Sequence, residues 1–293
     1  MTHRWKPWRT AAWLTLWLAC AVAVADDKPT LTWLLRDLPP LTILEGDLKG
    51  QGAVDQMLPL LIEGLPQYNH RLLRVNRARG LQMLQTPAFT CDPTLLWTPE
   101  RAKFVAYSTP SYRTLSNGLI VRDQDRQKLV PFMHGQALDF PALLAAGTLK
   151  VGLVAERSYG TQIDSMLKNA NPQTLAPHYG NDAVGSLLQM QHLGRLQALL
   201  GYWPEIRYIR QKLGLSADEF DFVPIKGVDQ YQLIHIGCSN TAQGREAIAL
   251  INAQLLLLRK DSRVDAFYAR WLDPDLREQY LKDAQRFFAH PGP

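Results

Sequence analysis

Residues 97–110 read WTPERAKFVAYSTP. A hydroxyl residue, Thr98, stands three positions before Arg101, a short apolar run follows at 104–107, and Ser-Thr-Pro closes the stretch. A guanidinium keeps its charge at any relevant pH and holds a carboxylate through two parallel N–H donors. Arg101 is therefore either a cation aimed at a ligand or half of an ion pair with an acid such as Glu100 or Glu63.

Outward from this stretch the chain alternates two kinds of pattern. Strand-like apolar runs stand at 30–35, 72–75, 95–97, 119–121, 150–154, 196–200 and 233–236. Between them lie helical stripes. Val54, Met57, Leu58, Leu61 and Leu65 recur on one helical face, as do Val264, Phe267, Tyr268 and Trp271. Residues 77–85, 163–167, 184–188 and 247–258 read as further helices. Pro39-Pro40 ends the first strand, because proline cannot donate to a ladder. Strands alternating with helices predict α/β layers with largely parallel sheet.

The first 25 residues stand apart. Arg4, Lys6 and Arg9 precede a charge-free run at 11–24, and Ala23-Val24-Ala25 has the small-x-small form of a cleavage site. This is the pattern of a secretory leader cleaved after Ala25. The full chain carries +5. Three of its 32 basic residues fall in the leader, which leaves 29 against 27 acidic, a balance of +2. So small an excess is no footprint for nucleic acid. Cys91 and Cys238 remain after the leader, and an exported chain favours a disulfide between them over two buried thiols. Such a bridge returns a late segment to the first unit. It leaves 119–225 as an inserted second unit joined by two crossings, with a hinge over a cleft.

With these residues in place, the chain resembles the type 2 periplasmic solute-binding proteins, nearest to the extracellular solute-binding family 3 that serves ABC importers of amino acids. The resemblance rests on the leader, the strand ending in Pro39-Pro40, T-x-E-R at 98–101 followed by Ser108-Thr109-Pro110, and the closing helices around Asn252 and Trp271. It implies a two-lobed α/β fold with lobe 1 at 26–118 and 226–293 and lobe 2 at 119–225. It further implies a monomer in the periplasm that carries a small solute to an inner-membrane ABC permease or to a sensor. No cofactor and no metal are expected. The resemblance assigns Arg101, with Thr98 nearby, to a ligand carboxylate, and the turn Arg157-Ser158-Tyr159-Gly160-Thr161 to donors from the second lobe; Leu96 and Trp97 stand where the family often has a hydroxyl residue, which makes Trp97 an aromatic ligand contact instead. Gly201 stands where the family keeps an Asp for the ligand's ammonium. Tyr202 and Trp203 lie beside it, and Glu205 or Asp37 are the acids that could substitute. The expected solute is thus carboxylate-bearing but flatter or more apolar than a standard amino acid. An enzyme on the same scaffold is the alternative, with Glu156 or Glu205 as acid or base, and an orphan sensory binding protein is a further one.

Other patterns carry less. Gly50-Gln51-Gly52 lacks the third glycine of a dinucleotide loop, since Asp55 stands there, and Thr241 breaks the G-x-S-x-G begun at Gly237. His70, His134, His178, His192, His235 and His290 show no zinc spacing.

Overall fold

A computed structural model describes residues 1–3 and 28–289. The leader's apolar run and its cleavage site lie outside them. The chain runs β1 (Thr30–Leu35), α1 (Ala53–Glu63), β2 (Asn69–Arg74), α2 (Arg77–Gln85), β3 (Thr90–Leu96), β4 (Val105–Leu115), β5 (Gly118–Arg122), the short pair β6 (Met133–His134) and β7 (Ala137–Leu138), and α3 (Phe140–Ala146). It continues through β8 (Val151–Val154), α4 (Thr161–Lys168), β9 (Leu175–His178), α5 (Ala183–His192), β10 (Ala198–Gly201), α6 (Trp203–Lys212), β11 (Phe220–Val223) and β12 (Tyr231–Ser239). It ends with α7 (Ala242–Leu258), α8 (Ser262–Ala269) and α9 (Pro274–Ala289).

Two five-stranded sheets organise these elements, in the orders β2-β1-β3-β12-β4 and β11-β5-β10-β8-β9. Each is covered on both faces, and the strand sequences show why. In β1, Leu31 and Trp33 enter one core with Met57, Leu61, Ile251 and Tyr268, whereas Leu34 enters another with Leu84 and Val105. In β5, Leu119 and Val121 pack with Phe140 and Leu143, and Ile120 packs with Leu187 and Leu188 on the opposite side. A period of two with apolar residues on both faces is the signature of a strand in the middle of three layers.

In each sheet four of the five strands run the same way and one runs against them. Parallel ladders join β1 to β2 and β3, and β8 to β9 and β10. The strands that leave or return between sheets run the other way: β12 is antiparallel to β3 and β4, and β5 to β10 and β11. The chain passes from the first sheet to the second through Ser116 and Asn117 and returns through 224–230, and Ser116 N donates to Gln230 O across the two passages at 2.9 Å.

Some expectations shift. Ser-Thr-Pro does not stop the run after Arg101; β4 continues through Pro110 to Leu115. It lies at the sheet edge, where a proline's missing N–H breaks no outer ladder. Tyr202-Trp203-Pro204 opens α6 directly after β10, with Pro204 in its first turn, where an orphan N–H is dispensable. Helix α9 extends the closing helices beyond Trp271 and places Tyr280 in the first core, and its Ala284 is buried as well. Cys91 and Cys238 are bonded, facing each other on neighbouring strands β3 and β12.

Candidate ligand-binding cleft

A cleft of about 480 Å³ lies between the two sheet units, a volume suited to a small molecule. From the first unit it is lined by Arg36 to Pro39, just after β1, and by Arg74 to Ala78, where β2 gives way to α2. From the second it is lined by the turn after β8, the loop after β9 that opens α5, and one face of α6. Most of these segments follow the carboxyl ends of parallel strands, where backbone ends and helix N-termini converge and α/β sheets bind ligands.

The floor is built from guanidinium groups. Arg36 is buried, pairs with Asp92, and donates from Nη2 to the Thr94 carbonyl at 2.6 Å. Asp92 is itself fixed, its Oδ1 accepting from Thr94 N at 2.8 Å and Thr94 Oγ1 at 2.9 Å. Across the cleft Arg157 Nη2 donates to Glu205 Oε2 at 2.7 Å, with 3% and 4% of the two side chains exposed. The Arg157 guanidinium stands 5.1 Å from the centre of the Tyr202 ring and 5.9 Å from that of Tyr159. Burial opposes its charge, but Glu205, Tyr159 and Tyr202 outweigh burial and hold its pKa above the usual value. Burial also pushes the Tyr159 hydroxyl up to about 12.

Arg77 differs from both. It opens α2, half-buried in the cleft, and forms no hydrogen bond or ion pair with the described residues. Its pKa is driven well down, first by burial and then by Arg36, Arg157 and Arg101, with only Glu205 acting against. A charge held there without a protein counter-ion is stabilised by an anion from outside.

The predicted residues fall in several places. Asp37 lines the cleft and accepts from Leu44 N at 3.0 Å. Arg101 does not line it; its Nη1 reaches the Leu96 carbonyl at 3.3 Å and its Nη2 the Glu156 carbonyl of the other unit at 3.4 Å. Thr98 is buried and its Oγ1 accepts from Arg101 N, while Trp97 is 46% exposed. The 158–160 turn is filled from within: Asp164 accepts from Ser158 Oγ at 2.6 Å and from Tyr159 N at 2.8 Å, and Gly160 N donates to Ser158 Oγ at 3.3 Å. Tyr202 supports Arg157, and Trp203 packs on Phe222 in the core. Glu205 lines the cleft, but its charge is spent on Arg157, and a Cβ at Gly201 would already meet Ile206 at 3.3 Å. Glu156 lines the cleft with a left-handed φ of 61°. Arg36 and Arg77 went unassigned in the sequence, and Arg157 was marked only as the first residue of the 157–161 turn, although each follows a strand-like run closely.

No protein-family model and no curated protein sequence matches the chain. Solved structures do. A histidine kinase sensor domain with similarity to periplasmic binding proteins superposes with a TM-score of 0.65 at 15% identity, covering 84% of this chain and 96% of that one. A periplasmic binding protein of Salmonella typhimurium with high arginine specificity gives 0.60 at 16%, covering 84% and 100%. A Listeria monocytogenes protein described as an L-cystine ABC transporter gives 0.62 at 15%, covering 84% and 96%. These likenesses show the fold: the chain has the two-lobed α/β architecture of periplasmic binding proteins.

Proposed function

We propose that this chain is a periplasmic solute-binding protein that captures a small carboxylate-bearing solute between its lobes. In this reading lobe 1 comprises 26–118 and 226–293, lobe 2 comprises 119–225, and the leader is removed after Ala25. The chain acts as a monomer and presents the loaded form to an inner-membrane ABC permease or to a sensor. Closure follows because a solute touching both lobes gains both sets of contacts only in the closed state.

The observation that carries this is Arg77: a half-buried guanidinium in a cleft of small-molecule size, with no counter-ion among the described residues. It supports a revised assignment in which Arg77, rather than Arg101, holds the carboxylate. A charge-assisted pair is worth about 1.5–3 kcal/mol, so Arg77→Gln weakens carboxylate binding by about 10- to 100-fold in calorimetry. The melting temperature of the unliganded protein stays near or above wild type, because no protein partner is lost. An unchanged affinity in this variant, with binding lost instead in Arg101→Gln, returns the role to Arg101.

A further inference from the structure

We propose that the cleft selects a doubly charged anion, a dicarboxylate or a phosphate monoester, over a monocarboxylate or a zwitterionic amino acid. The inference deepens the reading of the cleft as a solute site and rests on it. Its basis is a charge inventory of the floor. Arg36, Arg77 and Arg157 line the cleft, and Arg101 lies within electrostatic reach of Arg77 and Arg36. Asp92 pairs with Arg36 and Glu205 with Arg157, while Asp37 is held by Leu44 N and Asp164, which acts on Arg101 from a distance, is held by Ser158 and Tyr159 N. Arg77 and Arg101 are therefore left without an ion-pair partner among the described residues, and a ligand with two negative charges supplies one for each.

The unmet hydrogen-bonding capacity points the same way. Arg36 Nε and Arg157 Nη1 are buried without an acceptor, in side chains more than nine-tenths buried. Arg77 contributes a whole guanidinium that has no hydrogen-bond or ion-pair partner among the described residues. Buried donors without acceptors are costly, and an oxyanion rich in acceptors relieves them when the lobes close and the side chains adjust around it. An ammonium is poorly served here. Asp92 and Glu205 are engaged, Asp37 is half-buried and accepts from Leu44 N, and Glu156 and Asp182 are exposed, as are Arg74 and Lys212, so that solvent screens them.

Calorimetry on the purified chain at about pH 8, where a phosphate monoester is dianionic, compares butyrate, its α-amino derivative, succinate and ethyl phosphate at equal ionic strength. Succinate or ethyl phosphate is expected to bind about tenfold or more tightly than butyrate, and the α-amino derivative no better than butyrate. Arg77→Gln is expected to narrow the preference for dianions, since it removes one of the two guanidinium groups that no carboxylate pairs. Which of the two dianions wins identifies the head group. Butyrate binding as tightly as both dianions overturns the inference and leaves the carboxylate reading standing, as does a preference for the amino derivative. Ethyl phosphate alone binding keeps the inference and removes the carboxylate reading. Binding by none of the four removes both.

Discussion

At the scale of single residues, the Arg157–Glu205 pair shows how burial raises the stakes of a charge. Both side chains are almost wholly enclosed, so neither can turn to water when its partner is lost. Glu205→Gln strands the guanidinium and is expected to lower unfolding free energy by about 3–5 kcal/mol, whereas the double change Arg157→Met with Glu205→Leu recovers most of that loss. Urea unfolding of the three proteins checks it. His235 offers a pH test. Burial lowers its pKa, against the pull of the Ser108 carbonyl that accepts from Nδ1 at 2.8 Å. The unfolded chain therefore binds the proton more readily than the folded one. The stability associated with neutral His235 is fully present above about pH 6.5, the ordinary histidine value, and falls as pH drops through it towards the depressed folded value. His235→Gln flattens this decline relative to wild type in unfolding curves taken across that window. Sequence can name an arginine but not the direction it faces. T-x-E-R marks Arg101 for a ligand, yet its guanidinium meets carbonyls of both units, while Arg77, inside a motif-free helix start, faces the cleft.

At the scale of elements, most of the pattern was legible because both faces of each central strand are apolar and the helices carry plain stripes. The first strand and the second helix are bounded where the residues place them, at Thr30–Leu35 and Arg77–Gln85. The long edge strand β4 was not legible, since Ser-Thr-Pro has the same letters in a turn as in an edge that needs no outer ladder. The pairing of Cys91 with Cys238 was legible from the two cysteines that follow a leader of secretory pattern, and it fixes β12 beside β3. It closes a loop across a separation of 147 residues that holds the whole second sheet. Replacing both cysteines by alanine is expected to cost about 2–5 kcal/mol in guanidinium unfolding while leaving solute affinity near wild type, since neither cysteine lines the cleft.

At the scale of the whole molecule, the two units already touch around the cleft. Arg101 reaches the Glu156 carbonyl, Lys168 pairs with Glu100 at 3.0 Å, and Arg207 pairs with Asp273 at 2.9 Å beside the edge-to-face contact of Tyr208 and Trp271. The charged contacts at the surface are individually weak, of order 0–1 kcal/mol each, so together they bias the closed arrangement without locking it. Removing Arg101 and Arg207 together, each to alanine, is expected to raise the radius of gyration of the solute-free protein in small-angle scattering and to leave that of the solute-saturated protein unchanged. The passages between the sheets set what kind of motion this is. Ser116 N is bonded to Gln230 O, and buried Asn117 Nδ2 reaches Gln232 Oε1 at 3.4 Å and the Tyr159 carbonyl at 3.3 Å. Two ribbons lashed side by side behave as a leaf spring: they flex about one line and resist twisting or sliding. In the proposed solute-binding role, the outer surface would then swing along a single arc whatever solute occupies the gap, and a partner that takes the loaded form needs only to recognise how far along it the swing has gone.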